Sequence, residues 1–197
     1  MLDSIGERWD NKERIYPMRV ITGIARGRKL QTLPGLDTRP TSDRVKEALF
    51  NILQFELEGR RVLDLFAGSG QLGIEALSRG AAYCTFVDKN AQAVQIIKDN
   101  LRSTGLAANT QVVCQDSIAF LSRPNDRFDV VLIDPPYAAG LYESALEKAA
   151  PYVPAGGVVA CECDVSATLP ESAGTLALVR TYRYGKTAIW LYRSKKD

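Results

Sequence analysis

The stretch RVLDLFAGSGQLGIEALSRG, residues 61–80, decides the fold. Its first six residues read as a short apolar strand that runs into a turn at Gly68 and Gly70, after which GQLGIEALSRG opens as a helix. The alternation continues downstream. YCTFVD precedes NAQAVQIIKDNLRSTG, TQVVCQ precedes a short SIAFL, FDVVLI precedes LYESALEKAAPYV, and GGVVACEC closes the series. Short apolar strands alternating with helices predict a parallel sheet covered on both faces, because the crossover helices shield the strands from water. The tail LALVRTYRYGKTAIWLYRS is different: two alternating strands flank Tyr184-Gly185-Lys186, which predicts a hairpin on the sheet edge. The expected fold is Rossmann-like α/β, with a mostly parallel seven-stranded sheet and a C-terminal antiparallel hairpin.

Upstream of residue 61 the pattern changes. Residues 1–17 are polar and aperiodic, an expected flexible extension. MRVITG (18–23) and RKLQTL (28–33) predict a short β-hairpin joined through IARGR, followed by the turn-rich LPGLDTRPTS. DRVKEALFNIL (43–53) puts Val45, Ala48, Leu49, Ile52 and Leu53 on one helical stripe. The expected organisation is an extension over 1–17, a basic hairpin plus helix over 18–60, and a catalytic core over 61–197 that forms a single domain with the preceding segment.

Composition narrows the chemistry. The chain has no histidine, which removes the commonest general base and the commonest transition-metal ligand. No metal is expected, and reactions must run on carboxylates, backbone groups or an organic cofactor. The four cysteines form no C-x-x-C, no apolar run is long enough for a bilayer, and the first residues lack the form of a signal peptide. Reduced thiols in a cytoplasmic protein are expected. The net charge of +2 conceals an uneven distribution. Arg14 to Lys46 holds eight basic residues against two acids, Leu178 to Asp197 six against one, and the stretch between them nine against sixteen. Two basic ends around an acidic centre predict a polyanion-binding surface separate from a small-molecule site.

The acidic centre contains a cofactor signature. Gly68, Gly70 and Gly73 satisfy G-x-G-x-x-G, and Asp88 ends the second strand twenty residues after Gly68, where an acid can bind ribose hydroxyls. A nicotinamide cofactor is one reading. Asp64, just ahead of the glycines, opposes it, because a carboxylate there would repel a pyrophosphate. S-adenosylmethionine has no phosphate and carries an ammonium and a sulfonium, so the same carboxylate would attract it. The glycines let the backbone approach the cofactor where a Cβ would stand in the way. Glycines that only turn a strand into a helix would leave both acids unexplained. Phe66 and Ser69 lie within the turn. Asp116, followed by Ser117, sits where an adenine amino group could be accepted, although an Asp there is equally a helix N-cap.

A second signature closes VVLIDPPYAAG (130–140), where a buried strand ends in Asp134-Pro135-Pro136-Tyr137. Proline stops a strand, which explains one proline and not the order of the four residues. An exocyclic amine on a nucleobase is a weak nucleophile because its lone pair is delocalised into the ring. The Asp134 carboxylate and the Pro135 carbonyl are two acceptors for its two N–H bonds, and Tyr137 offers a face on which the base can stack. The prolines stiffen the turn, and alignment of nucleophile with methyl group is most of the catalysis.

Taken together, DLFAGSG, DPPY and MRVITGIARGRKL…TRPTSDRVKEALFNIL resemble the RsmD family of 16S rRNA guanine-N2 methyltransferases over about residues 18–193. The resemblance implies the class I S-adenosylmethionine-dependent methyltransferase fold, transfer to a guanine exocyclic amine, and a substrate of 16S rRNA in assembling or assembled small subunits. By position it implies catalytic roles for Asp134, Pro135, Pro136 and Tyr137. Asp64, Gly68, Ser69 and Gly70 match the methionine-side cofactor loop, Asp88 the ribose-binding acid, and Thr41 a residue closing over the methionine end. Family members often have Glu where this chain has Asp88, and a small residue where it has Gln71. A monomer with no membrane association is expected.

For RNA contact the candidates are Arg26, Arg28 and Lys29 in ARGRK, Arg39 and Arg44 beyond them, and Arg183 and Lys186 beside Tyr184 in the tail. Glycines between cations let a chain follow a phosphate backbone. Two other readings remain open at this point: methylation of adenine or cytosine amines or of a glutamine amide, and a catalytically idle RNA-binding assembly factor.

Overall fold

The computed structural model describes residues 18–33, 41–122, 126–136 and 140–195, with Thr41 and Ser42 described in their backbone only. The parallel strands are β1 (Arg61–Leu65), β2 (Tyr83–Asp88), β3 (Thr110–Cys114), β4 (Val130–Ile133) and β5 (Val158–Asp164). The helices are α1 (Thr41–Ile52), α2 (Gln71–Ser78), α3 (Ala91–Thr104), α4 (Ser117–Phe120) and α5 (Tyr142–Ala149), the last continued by a 3-10 turn at Ala150–Tyr152. Strands β6 (Ser172–Ala173), β7 (Leu176–Tyr184) and β8 (Thr187–Ser194) complete one sheet in the order β3-β2-β1-β4-β5-β8-β7-β6.

Strand alternation sorts the core into two layers. Val62, Val130, Leu132 and Ala160 join the cluster that holds Leu49, Ile74 and Ile97 of the first three helices and Leu53 just past α1. Leu63, Leu65, Val131 and Ile133 face the other way, among Phe120, Leu146 and Tyr152. Burial on both faces is why these strands read as continuous apolar runs. Gly73 brings α2 close to the sheet: a Cβ there would stand 2.3 Å from the Phe86 ring and 2.8 Å from the Cys84 sulfur.

Two expectations are corrected. The sheet has eight strands, not seven, because β6 pairs Ser172 and Ala173 with β7. Two residues cannot produce a period in the sequence. The N-terminal hairpin is reduced to one antiparallel bridge, Arg19 to Lys29, flanked by Val20 N–H to the Arg28 carbonyl (3.0 Å) and Leu30 N–H to the Met18 carbonyl (2.8 Å). Beyond that bridge the backbone of Ile21, Thr22, Ile24 and Ala25 bonds to α2 instead of to a partner strand. Val20, Ala25 and Leu30 of this segment share one core cluster with Val62 and Ile74, so it packs as part of the same body. Lys46 of α1 is almost completely buried and donates from Nζ to the Arg19 carbonyl at 2.7 Å, a second tie to the segment.

Candidate active site

Strand register assembles the site. Leu65 is paired with Val87 on one side and with Ile133 on the other. The next residues, Asp88, Phe66 and Asp134, therefore stand in a row at the carboxyl ends of the strands, Asp88 as the last residue of β2 and the other two just past their strands. The spacing of neighbouring strands puts the backbones of Asp88 and Asp134 roughly 10 Å apart across this row. The tail hairpin turns at the same end: Asp164, at the end of β5, pairs with Thr187, which pairs with Tyr184. Arg183 and Lys186 are exposed there.

Between the two acids the chain must turn sharply. Phe66 has φ of 68°, alone among the described non-glycine residues in being positive. Such a conformation costs on the order of 1–3 kcal/mol and persists where the surroundings enforce it. Gly68 follows at φ 53°, and a Cβ on it would meet nothing within 4 Å. The turn therefore presents bare backbone to open space. Gly70, at φ 77°, precedes α2.

Asp88 does more than expected. One carboxylate oxygen accepts from Gly68 N–H at 2.8 Å and the other from Asn90 N–H at 2.8 Å, so the acid braces the glycine turn and the entry to α3. Asp116 is the N-cap of α4, accepting from Ala119 N–H at 2.9 Å, and Ser117 is buried behind it. The cap reading of Asp116 holds. Its second carboxylate oxygen is the one left for the adenine role.

Asp64 is buried, and its carboxylate accepts from Gly73 N–H at 2.8 Å. Burial pushes its pKa up from 3.8 to about 8, against the pull of the Gly73 N–H, and the charges of Asp134 and Asp88 push in the same direction as burial. Near neutral pH the cofactor-free protein thus holds a proton on Asp64, where a resident anion was expected. The unfolded chain releases that proton near pH 4, so this site's contribution to stability is full below that pH and is lost as pH rises through about 8. Urea unfolding at pH 6 and pH 8 checks this. Asp64→Asn, which keeps an acceptor for Gly73 N–H, should remove this part of the pH dependence, and an unchanged slope in the variant would rule out the assignment.

Asp88 and Asp134 on either side of an open glycine turn fit a cationic, phosphate-free cofactor, while Asp64, which holds its proton, adds no charge. A pyrophosphate would face the two carboxylates with the wrong sign. Pro135 is buried and Pro136 exposed after Asp134. Tyr137, Arg39, the 1–17 extension and the Thr41 side chain lie outside the described residues. Arg44 is exposed on the first turn of α1, whereas Arg26, Arg28 and Lys29 are exposed on the N-terminal segment, which is tied to the last turn of α2 at Ile24 and to the glycine turn through Met18 and Gln31. Burial holds the thiols of Cys84 and Cys161 protonated, so neither is a nucleophile.

Two residues with structural claims on the site went unread. Asn100, fully buried on α3, accepts from Gln31 N–H (2.8 Å) and donates to the carbonyls of Gln31 (3.0 Å) and Ser69 (2.9 Å), tying the N-terminal segment to the glycine turn. Glu75 is buried on α2 and grips the same segment. A polar residue amid apolar neighbours, as in GIEAL, is the signal that marks Glu75, whereas Asn100 follows Lys98 and Asp99 and shows only by its helical spacing from Ile96, Ile97 and Thr104.

The chain has relatives among known proteins. Residues 18–193 match the family described as Conserved hypothetical protein 95. Ribosomal RNA small subunit methyltransferase D of Escherichia coli K12 is 35% identical over 178 residues, 89% of each chain. YlbH of Bacillus subtilis, provisionally named an rRNA methyltransferase, is 40% identical over 183 residues, 90% of this chain and 100% of that one. Among solved structures, the Escherichia coli protein yhhF, provisionally described as a methyltransferase, superposes with a TM-score of 0.81 at 35% identity, covering 91% of this chain and 98% of that one.

Proposed function

The chain belongs to the RsmD family and is an S-adenosylmethionine-dependent methyltransferase, and from that premise we propose that it methylates the exocyclic N2 amine of a guanine in 16S rRNA of the small ribosomal subunit. The observation that carries this reading is the row Asp88–Phe66–Asp134 at the carboxyl ends of three adjacent strands, with open space before Gly68.

Gly68, Ser69 and Gly70 would hold the methionine end of the cofactor, with Asp64 behind the turn and Asp88 on the ribose. When bound, S-adenosylmethionine supplies a methyl group on cationic sulfur. Asp134 and the Pro135 carbonyl accept the two amine N–H bonds and aim the nitrogen. As the nitrogen becomes cationic, its proton leaves to Asp134 or to water, which is why the site works without histidine. Tyr137 is assigned the stacking face. Arg183 and Lys186, at the catalytic end, and Arg39 and Arg44 are assigned to phosphates near the target. A ribosomal substrate puts the reaction in the cytoplasm, and a monomer suffices because one chain carries every assigned group. No described helix is long and apolar enough to cross a membrane.

The test is to offer labelled S-adenosylmethionine with unmethylated small subunits, protein-free rRNA and DNA, and to map the product. N2-methylguanosine from small-subunit RNA is expected, and label in adenine, cytosine or DNA would overturn the reading. In calorimetry Asp88→Ala should weaken S-adenosylmethionine binding by about 1–3 kcal/mol, the range for buried groups left unpaired. Wild-type affinity in that variant would remove Asp88 from the ribose.

A further inference from the structure

The turn over residues 22–27 is fixed by α2 although its side chains point mostly into water. Glu75 accepts from Ile21 N–H at 2.7 Å, Thr22 N–H at 3.0 Å and Arg79 Nε at 2.8 Å. One helical turn further, the Ser78 carbonyl accepts from Ile24 N–H at 2.9 Å. The Ser78 hydroxyl accepts from Ala25 N–H at 3.0 Å and donates to the Thr22 carbonyl at 2.6 Å. Gly23, at φ 85°, permits the close approach, since a Cβ on it would stand 1.8 Å from the Ser78 carbonyl oxygen. Outside this clamp Ile24 is 85% exposed, and Arg26, Arg28 and Lys29 are exposed around it. Residues 18–33 contain four cations and no acid.

A surface whose backbone is ordered on folding has less entropy to lose on binding. We propose that this turn is a second RNA-docking element, in which Ile24 makes an apolar contact with a base or sugar face and Glu75 and Ser78 act as positioning residues. The inference rests on the rRNA reading above. Cations without acids fit a polyanion, and an exposed aliphatic side chain among them is the type of group that wedges against bases where a duplex is distorted. The turn lies beside the end of α2, roughly 12 Å along the helix from the glycine turn at 1.5 Å per residue. The RNA must therefore run past the target nucleotide and down the side of the protein.

Apolar and ionic contacts separate by salt. Ile24→Ala should weaken binding to protein-free 16S rRNA by about three- to tenfold at every salt concentration, with the slope of log affinity on log salt unchanged. Changing Arg26, Arg28 and Lys29 together to Ala should flatten that slope by about 0.7–0.9 for each phosphate no longer neutralised. S-adenosylmethionine affinity should be unaltered in both variants, and the exposure of these side chains leaves folding undisturbed. Wild-type RNA affinity in Ile24→Ala overturns the inference, and a flattened slope in the triple variant would then leave the rRNA reading standing. An unchanged slope in the triple variant overturns RNA contact by the whole segment. If Ile24→Ala loses affinity for assembled subunits and none for protein-free rRNA, the occupant is a ribosomal protein and the inference fails.

Discussion

Asp134→Ala should reduce the single-turnover methylation rate at least about 100-fold, the scale on which a misplaced reacting group is felt, while S-adenosylmethionine affinity changes little. Asp134 leaves β4 level with Phe66, one strand away from the glycine turn that is assigned to the cofactor, so its loss removes an acceptor for the amine and leaves the turn intact. Rapid-quench single turnover on small subunits, with calorimetry on the same preparation, separates the two quantities. A parallel fall in cofactor affinity would mean that Asp134 holds the cofactor and not the target. The substitution carries an internal marker, because the Asp134 charge helps to push the Asp64 pKa up. In the variant the pH dependence of stability should therefore move to lower pH, whatever happens to the rate.

The second large effect is on stability. Glu75→Ala should destabilise the protein by about 3–5 kcal/mol, the usual penalty for breaking a buried ion pair from one side. Three donors lose their acceptor: Ile21 N–H, Thr22 N–H and the mostly buried Arg79. Lys46 suffers as well. Burial pushes its pKa down, and the Glu75 charge is the largest influence holding it up. Against a total stability of roughly 5–15 kcal/mol, such a loss is readily measured by urea unfolding. A loss near 1 kcal/mol would mean that the segment finds other partners and that the clamp is weak.

The parallel half of the fold was legible because β1, β2, β4 and β5 are buried on both faces and α3 on one, and such burial leaves a pattern in the residues, whereas α2 is buried nearly all round. The position of Asp134 beside the glycine turn followed from strand order, since β4 pairs with β1. What escaped notice was bonding to backbone. Asp88 bracing Gly68, Asn100 holding Gln31 and Ser78 holding Ile24 all pair a residue with N–H or C=O groups that nearly every residue possesses, so the partner leaves no mark in the sequence. The ionisation of Asp64 escaped for a related reason. Its residue type is visible, but its desolvation depends on what is packed around it. Cation clustering located Arg26, Arg28 and Lys29 as a group and was silent on which end of α2 they would reach.

The position of β8 between β5 and β7 has a consequence for the order in which the molecule assembles. β7 and β8 are joined by a tight turn at Gly185 and Lys186, so this hairpin can form from near neighbours in the chain, whereas β1 must find β4 across the whole of β2, α3 and β3. Hairpins of this kind close in microseconds. The pairing of β5 with β8 is slower to find, because it must carry an already formed hairpin across an intervening loop and pair seven residues, Val158 to Asp164, in reverse direction. Until then β5 is an open edge, lined by Val158, Val159 and Ala160, and two such chains could pair there with each other. The tail hairpin is in this sense a cap on the parallel sheet, and a change that loosened its docking would uncover the β5 edge to other chains.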